Sequence, residues 1–404
     1  MQKKIEVTLE TVTPLYMGGA DPDQQPPELR TPSIRGAMRY WLRALLGAHL
    51  GDHPEQVWKA ESLVFGDTES TSSVNLRITP VNVPQAQQIN FSLDSGKGYL
   101  LWTTTRTQRS ALPAKTTRFR VIVASRPFQG DRSGLVLNQA LASLWLLANL
   151  GGLGTRSRRG LGSVRITEAN NWPDELPPPI PATGVNLTEF LRRGVDQLHA
   201  TVIPGILSSI SSPTSFDILH SNTCAILVGQ VGQKNWEMAI ENIGNTLRDF
   251  RSYRPPDHDG VLDVIKKGTP PNTVRRAAFG LPMQFYFRQY HEDMAKNHPD
   301  WAKDKKRARS ATRKLATADV VPGARDIDRR ASPLQFKVAS VSEVELVPVV
   351  TFFNARFLPG NNPLVRINPR DRNASSQNVA APDYSILQEF LAGLHWSLAY
   401  GRVR

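Results

Sequence analysis

One cysteine, Cys224, occurs in 404 residues, so no internal disulfide can form, and no Cys/His cluster has zinc-site spacing. No run of 18 apolar residues is present, which leaves no membrane span to read from composition. The opening MQKKIEVTLE passes straight into an alternating pattern without the apolar stretch of a secretory signal. These absences point to a reducing, cytoplasmic setting with no membrane partner. Acids are short as well: 36 Asp+Glu stand against 49 Lys+Arg, a net charge of +13. A field of that sign attracts polyanions, in a cell nucleic acid or an anionic membrane surface. Nucleotide fingerprints are also missing. The glycine-rich GGLGTRSRRGLGSV at 151–164 lacks the lysine of a P-loop. It follows a helical run and precedes a strand, the reverse of a dinucleotide-binding turn, so neither ATP, NAD nor any other cofactor is expected.

What is present is a regular alternation of elements. KKIEVTLETVTPLY (3–16) alternates like a half-buried strand. A polar Gly/Pro/Asp loop follows, and then a helix from Ile34 to about Leu46 with Ser33 placed to cap it. SSVNLRITPV, GYLLWTTTR and FRVIVAS read as strands, LVLNQALASLWLLANL (135–150) as a buried helix, and LGSVRIT as a returning strand. That order is the βαββαβ pattern of a ferredoxin-like domain. The five prolines of NNWPDELPPPIPATG (170–184) read as a linker. Weaker but similar punctuation follows, with helices at TEFLRRGVDQLHATV and WEMAIENIGNTLRDFRSYR and a closing helix at YSILQEFLAGLHWSLAYG. The expected fold is α+β: two tandem ferredoxin-like (RRM-like) domains at 1–170 and 186–404, joined by a Pro-rich linker at 171–185. A basic insertion at 291–330 interrupts the second. Its first part, 291–314, lacks an apolar face and is expected to stay mobile until an anion orders it.

Cations cluster at three places. On the first helix, Ile34, Met38, Trp41 and Leu45 fall within a band about 60° wide, while Arg35, Arg39 and Arg43 form a row on another flank. No acid stands at i±4 to neutralise that row. Arg30 and Ser33 sit by the helix N-terminus, where free amides favour phosphate. In the glycine loop, Gly152, Gly154 and Gly160 allow close backbone approach. Arg156, Arg158, Arg159 and, just beyond, Arg165 suit an extended phosphodiester chain. The pairs Arg275/Arg276 and Arg329/Arg330 precede apolar strand segments, as at the mouth of a groove. Catalysis is the alternative. Asp21 and Asp23 are spaced to bind Mg²⁺ and His49 or His53 to act as a general base, although Asp-Pro-Asp more often makes a turn and a helix-end histidine a cap. In QFYFRQY, alternation puts Phe285 and Phe287 together on one face, where core packing outweighs base stacking.

The ordered set LRTPSIRGAMRYWLRALLG, LVFGDTESTSSV, GGLGTRSRRGLGSV, RRAAFGLPMQFYF and RRASPLQF resembles the RAMP superfamily of CRISPR–Cas effector proteins. It is most similar to the two-domain subunit of the type III-B (Cmr) complex. The resemblance implies a non-catalytic, structural RNA-binding role without metal or cofactor. It implies guide (CRISPR) RNA, single-stranded target RNA and sister subunits as partners, with the 3′ part of the guide held. It carries site roles onto Arg30, Ser33, Arg35, Arg39, the glycine-loop residues and the paired arginines.

Overall fold

The computed structural model describes residues 3–19, 26–106, 109–126, 132–203, 207–252 and 256–403. Strand β1 (Lys4–Thr11) leads into helices α1 (Thr31–Leu50) and α2 (Pro54–Phe65), then β2 (Val74–Asn82). A short ladder, β3 (Gln87–Gln88) with β4 (Ser110–Ala111), encloses α3 (Gly96–Arg106). After it come β5 (Arg118–Ser125), α4 (Ser133–Leu150) and β6 (Val164–Asn170). The sheet runs β2-β5-β1-β6 and every pair is antiparallel. With the small ladder set aside, this is β-α-β-β-α-β with the first and third strands central, the ferredoxin-like order.

The same order recurs downstream. After α5 (Leu187–Val202), β7 (Cys224–Val228) and α6 (Trp236–Ser252), the chain departs into α7 (Asp257–Lys267), β8 (Met283–Tyr286), α8 (Arg288–Lys296), α9 (Lys305–Thr312) and β9 (Thr317–Pro322). It returns as β10 (Leu334–Ser340) and β11 (Leu346–Phe353), departs again into β12 (Leu364–Pro369) and β13 (Gln377–Ala380), and comes back as α10 (Ser385–Gly393) and β14 (Ser397–Gly401). The second sheet, β10-β11-β7-β14, is antiparallel in the same spatial order as the first. The protein is α+β with two tandem ferredoxin-like folds.

The chain forms two compact units. One spans 1–248, 334–355 and 391–404 and holds both ferredoxin-like sheets. Its core is continuous, running from Ile5, Val7 and Leu9 through Trp41 and Trp145 to Ile226, Val349 and Phe353. The other spans 249–333 and 356–390 and carries the sheet β13-β12-β9-β8. The segment expected to be an insertion at 291–330 is thus part of a larger inserted body with its own strands.

Local departures from the sequence reading have physical causes. GYLLWTTTR is a helix, not a strand, because Glu241 on α6 caps it from afar, accepting from the amides of Gly96 (2.7 Å) and Lys97 (3.0 Å). The last apolar run breaks after α10, and SLAYG becomes a sheet strand. The proline-rich stretch is pinned: Trp145 Nε1 donates to Pro178 O at 2.9 Å, Trp172 Nε1 to Pro177 O at 3.0 Å, and Leu176 is buried. The stretch 291–314, expected to be mobile, falls largely in α8 and α9, whose narrow inward faces are His291 and Ala295, and Ala308 and Thr312. Alanine and threonine are too small to register as an apolar stripe in a basic sequence. By length and composition α4 is apolar enough to cross a bilayer, but 72% of it is buried inside the protein.

Candidate nucleic-acid interface

Helix α1 carries both the core stripe and the arginine row. Ile34, Met38, Trp41 and Leu45 are all buried, as their spacing requires. The helix starts earlier than expected, at Thr31, because Pro32 supplies a preset φ in the first turn. Ser33 is therefore inside the helix rather than capping it. Arg30 occupies the N-cap position, its amide against Met17 Sδ at 3.5 Å.

The arginine row is not unopposed. Glu61 on α2 is fully buried and closes on two of its members, Arg39 Nε at 2.5 Å and Arg43 Nη1 at 3.4 Å. Arg39 Nη2 also donates to Gly66 O at 2.9 Å. Burial pushes the Glu61 carboxyl up, and the guanidiniums of Arg39 and then Arg43 oppose that shift. The neutralising acid arrives from another helix, which spacing along α1 alone cannot reveal. Among the described residues Arg35 has no such partner, and its Nε is buried without a hydrogen bond.

The glycine loop folds back onto α1. A Cβ on Gly154 (φ +74°) would stand 2.2 Å from Tyr16 O, and one on Gly162 (φ +60°) 1.9 Å from Leu153 O, so both backbone shape and close packing demand glycine there. Backbone hydrogen bonds Thr155 N→Tyr16 O (2.7 Å), Leu153 N→Gly162 O (2.9 Å) and Gly162 N→Pro14 O (2.9 Å) fix the loop. Thr13 Oγ1 donates to Gly160 O at 2.8 Å. Several glycines thus serve the loop's own packing, in addition to any approach of a ligand; Gly152 lies tight against Leu161 O.

At the tip, Arg156 adopts φ +64°, a left-handed conformation that costs a non-glycine residue about 1 kcal/mol or more. Burial lowers the pKa of its guanidinium. Arg158 lies over the Tyr40 ring of α1, 5.2 Å from its centroid, with Nη2 3.7 Å from Asp217. Tyr40 in turn donates to Asp217 Oδ2 at 2.7 Å and accepts from Gln335. Burial, and then Asp217, raise the Tyr40 pKa well above 10, so the phenol stays a donor. The loop therefore covers Tyr40, while Arg35, Arg39 and Arg43 lie about 60° to 140° around the same helix. Arg165 is spent elsewhere, on Glu10 (2.7 Å) and Glu343 (2.6 Å).

Strand β10 supports the loop from beneath. Arg159 bridges to Phe336, Phe336 N donates to Arg158 O (3.0 Å), and Val338 N donates to Ser163 Oγ (3.0 Å). Between them Lys337, 2% exposed, sends Nζ to Gly151 O (3.2 Å) and Val164 O (2.9 Å), tying both ends of the loop together. Burial pulls its ammonium down to about 7. The sequence signal was a single lysine inside an otherwise unbroken buried strand, LQFKVAS.

The remaining candidates lie apart from this cluster. Arg275, Arg276, Arg329 and Arg330 belong to the other unit. Arg275 and Arg276 open a 3₁₀ turn rather than precede a strand, and Asp257 accepts from both of their amides. Arg276 is nearly buried over the Phe285 ring, and Arg275 pairs with Glu389 at 2.5 Å. Arg330 reaches Arg356 O and Tyr384 Oη, whereas Arg329 is exposed. His49 is no surface base: it is buried against His199, with Nε2 and Nδ1 3.3 Å apart, and burial lowers its pKa. Asp21 and Asp23 lie outside the described residues. Phe285 and Phe287 are buried, as the alternation required.

The chain carries two tandem ferredoxin-like folds, the first with a glycine-rich loop before its last strand, and residues 8–165 match the RAMP superfamily model. The chain is 31% identical over 286 residues to CRISPR system Cmr subunit Cmr1-1 of Pyrococcus furiosus, covering 68% of this chain and 75% of that one. It is 31% identical over 174 residues to Cmr1-2 of the same organism, covering 39% and 92%. By this likeness the chain belongs to the Cmr1 family of RAMP-superfamily proteins. The crystal structure of Pyrococcus furiosus Cmr1 in its apo form shares the fold at TM-score 0.56 and 23% identity over 99% of each chain. A chain of the type III-B Cmr-beta complex bound to cognate target RNA shares it at TM-score 0.52 and 14% identity, over 87% and 94%.

Proposed function

We propose that this protein is an RNA-binding structural subunit of a type III-B CRISPR–Cas effector ribonucleoprotein. It holds the 3′ region of the guide RNA and helps capture complementary target RNA alongside sister subunits in the cytoplasm. Its role is to grip RNA rather than cut it, and it works as two modules, 1–170 and 186–404, joined at 171–185. The observation that carries this reading is the docking of the glycine loop over Tyr40. It sets Arg158 on the Tyr40 ring of α1, the helix that bears the arginine row, with Arg156 and Arg159 on the same loop, in a chain of net charge +13. Guanidiniums bind phosphate in bidentate fashion, and phosphate contacts are indifferent to sequence. Membership of a family with a relative from an RNA-bound complex supports the same reading.

The test is binding of the purified chain to single-stranded RNA at several salt concentrations. With about six phosphate contacts, log K should fall against log salt with a slope near −4, with little sequence preference and the RNA recovered uncut with or without Mg²⁺. A salt-independent affinity contradicts the reading.

A further inference from the structure

A further strongly basic stretch lies in the inserted unit. Residues 301–314, WAKDKKRARSATRK, hold seven Lys/Arg and one acid. That acid, Asp304, is occupied as the N-cap of α9, accepting from Lys306 N (2.9 Å) and Arg307 N (3.0 Å). The helix is anchored by its inward Ala308 and Thr312 and by His291, whose Nε2 donates to Arg309 O at 2.8 Å. Lys306, Arg309 and Arg313 fall on one outward flank about 60° wide.

Aromatic rings lie under these cations. Arg309 stands 5.3 Å from the centroid of Trp301, with Lys305 5.5 Å from it, and Arg313 stands 5.2 Å from that of Tyr286. Arg309 is also held bidentate by Glu292, its Nε and Nη2 bonds 3.0 and 2.9 Å long, which fixes it in place. Lys306 and Arg313, by contrast, are exposed and have no acidic partner among the described residues. Cations and rings fixed against one another, beside cations with no acidic partner, make a platform that takes bases by stacking and phosphates by charge.

We infer that this flank of α9 is a second contact for single-stranded RNA, separate from the glycine loop. The inference rests on the RNA-binding reading above. A bilayer is the poorer fit: α9, KKRARSAT, has no bulky apolar side chain to insert. An acidic protein surface would leave the ring–cation pairs unused.

The experiment measures single-stranded RNA affinity against salt for the full chain and for Lys306→Glu/Arg313→Glu, two exposed positions whose exchange leaves the core intact. The thermal melt of each serves as a check on folding. The expected result is about tenfold weaker binding and a salt slope shallower by about 1.4, from two lost phosphate contacts, with the melt unchanged. Trp301→Ala should weaken binding about fivefold or more without changing the slope, through lost stacking. Wild-type affinity and slope in the charge-reversed variant overturn the α9 contact while leaving the RNA-binding reading in place. Failure of the wild-type chain to bind RNA overturns both. Loss of binding to phosphatidylserine vesicles, with RNA binding unchanged, replaces RNA by an anionic membrane.

Discussion

Lys337→Ala should lower stability by about 3–5 kcal/mol and weaken RNA binding with it. The side chain is buried, so truncation opens a cavity, and it removes the shared donor of Gly151 O and Val164 O at the two ends of the glycine loop. Lys337→Met separates these effects. It fills the volume and relieves the cost of burying an ammonium, which offsets the lost hydrogen bonds, so its stability at pH 7 should lie within about 1 kcal/mol of wild type. RNA affinity should still fall, because nothing then ties the loop's ends. The pH profile gives a second readout. A native pKa of about 7 lies below the unfolded value, so between pH 7 and about 10 the unfolded chain holds a proton the native one has released. Wild-type stability should therefore rise with pH across that window relative to Lys337→Met. Denaturant melts at pH 7 and pH 9.5 measure the difference, and parallel profiles would remove Lys337 from this role.

Acid should unfold the protein through its histidines. His199 is buried between His49 and Tyr400, and burial, then His49 and His220, holds its pKa down to about 3. Burial lowers His49 and His220 as well, and Arg402 adds to the effect on His220. Cys224 and Asp196 act on the neighbouring Tyr400. A depressed histidine pKa means the unfolded chain binds protons first as pH falls. The stability is complete above the unfolded pKa of about 6.5 and is lost from there down towards pH 3. His199 alone contributes about 2–3 kcal/mol of loss between pH 6.5 and pH 4.5. His199→Phe keeps a ring against Tyr400 and removes the titration, so its melting temperature should fall less over that interval. An equal fall in both proteins would assign acid lability to other groups.

Much of this was legible in the sequence, and particular residues show where legibility ends. The period of Ile34, Met38, Trp41 and Leu45 fixes the buried face of α1, and the order of strand and helix patterns gives both ferredoxin-like repeats. The position and composition of the glycine loop are plain in one dimension. What spacing cannot carry is the partner from afar. Glu61 neutralising Arg39 and Arg43, Glu241 capping α3, and Asp257 taking the amides of Arg275 and Arg276 are all tertiary contacts. They give groups that look unopposed in one dimension a partner inside the protein. The same lack of tertiary knowledge made His49 look accessible and α9 look unstructured.

If the loop docked on α1 grips an RNA backbone, Arg156→Gly/Arg159→Ala must change the salt dependence of binding. Glycine at 156 removes a cation while accepting the left-handed backbone, so loop shape is preserved. Single-stranded RNA binding should weaken, with a slope shallower than wild type by about 1.4. Identical affinity and slope in a variant that melts like wild type would contradict it.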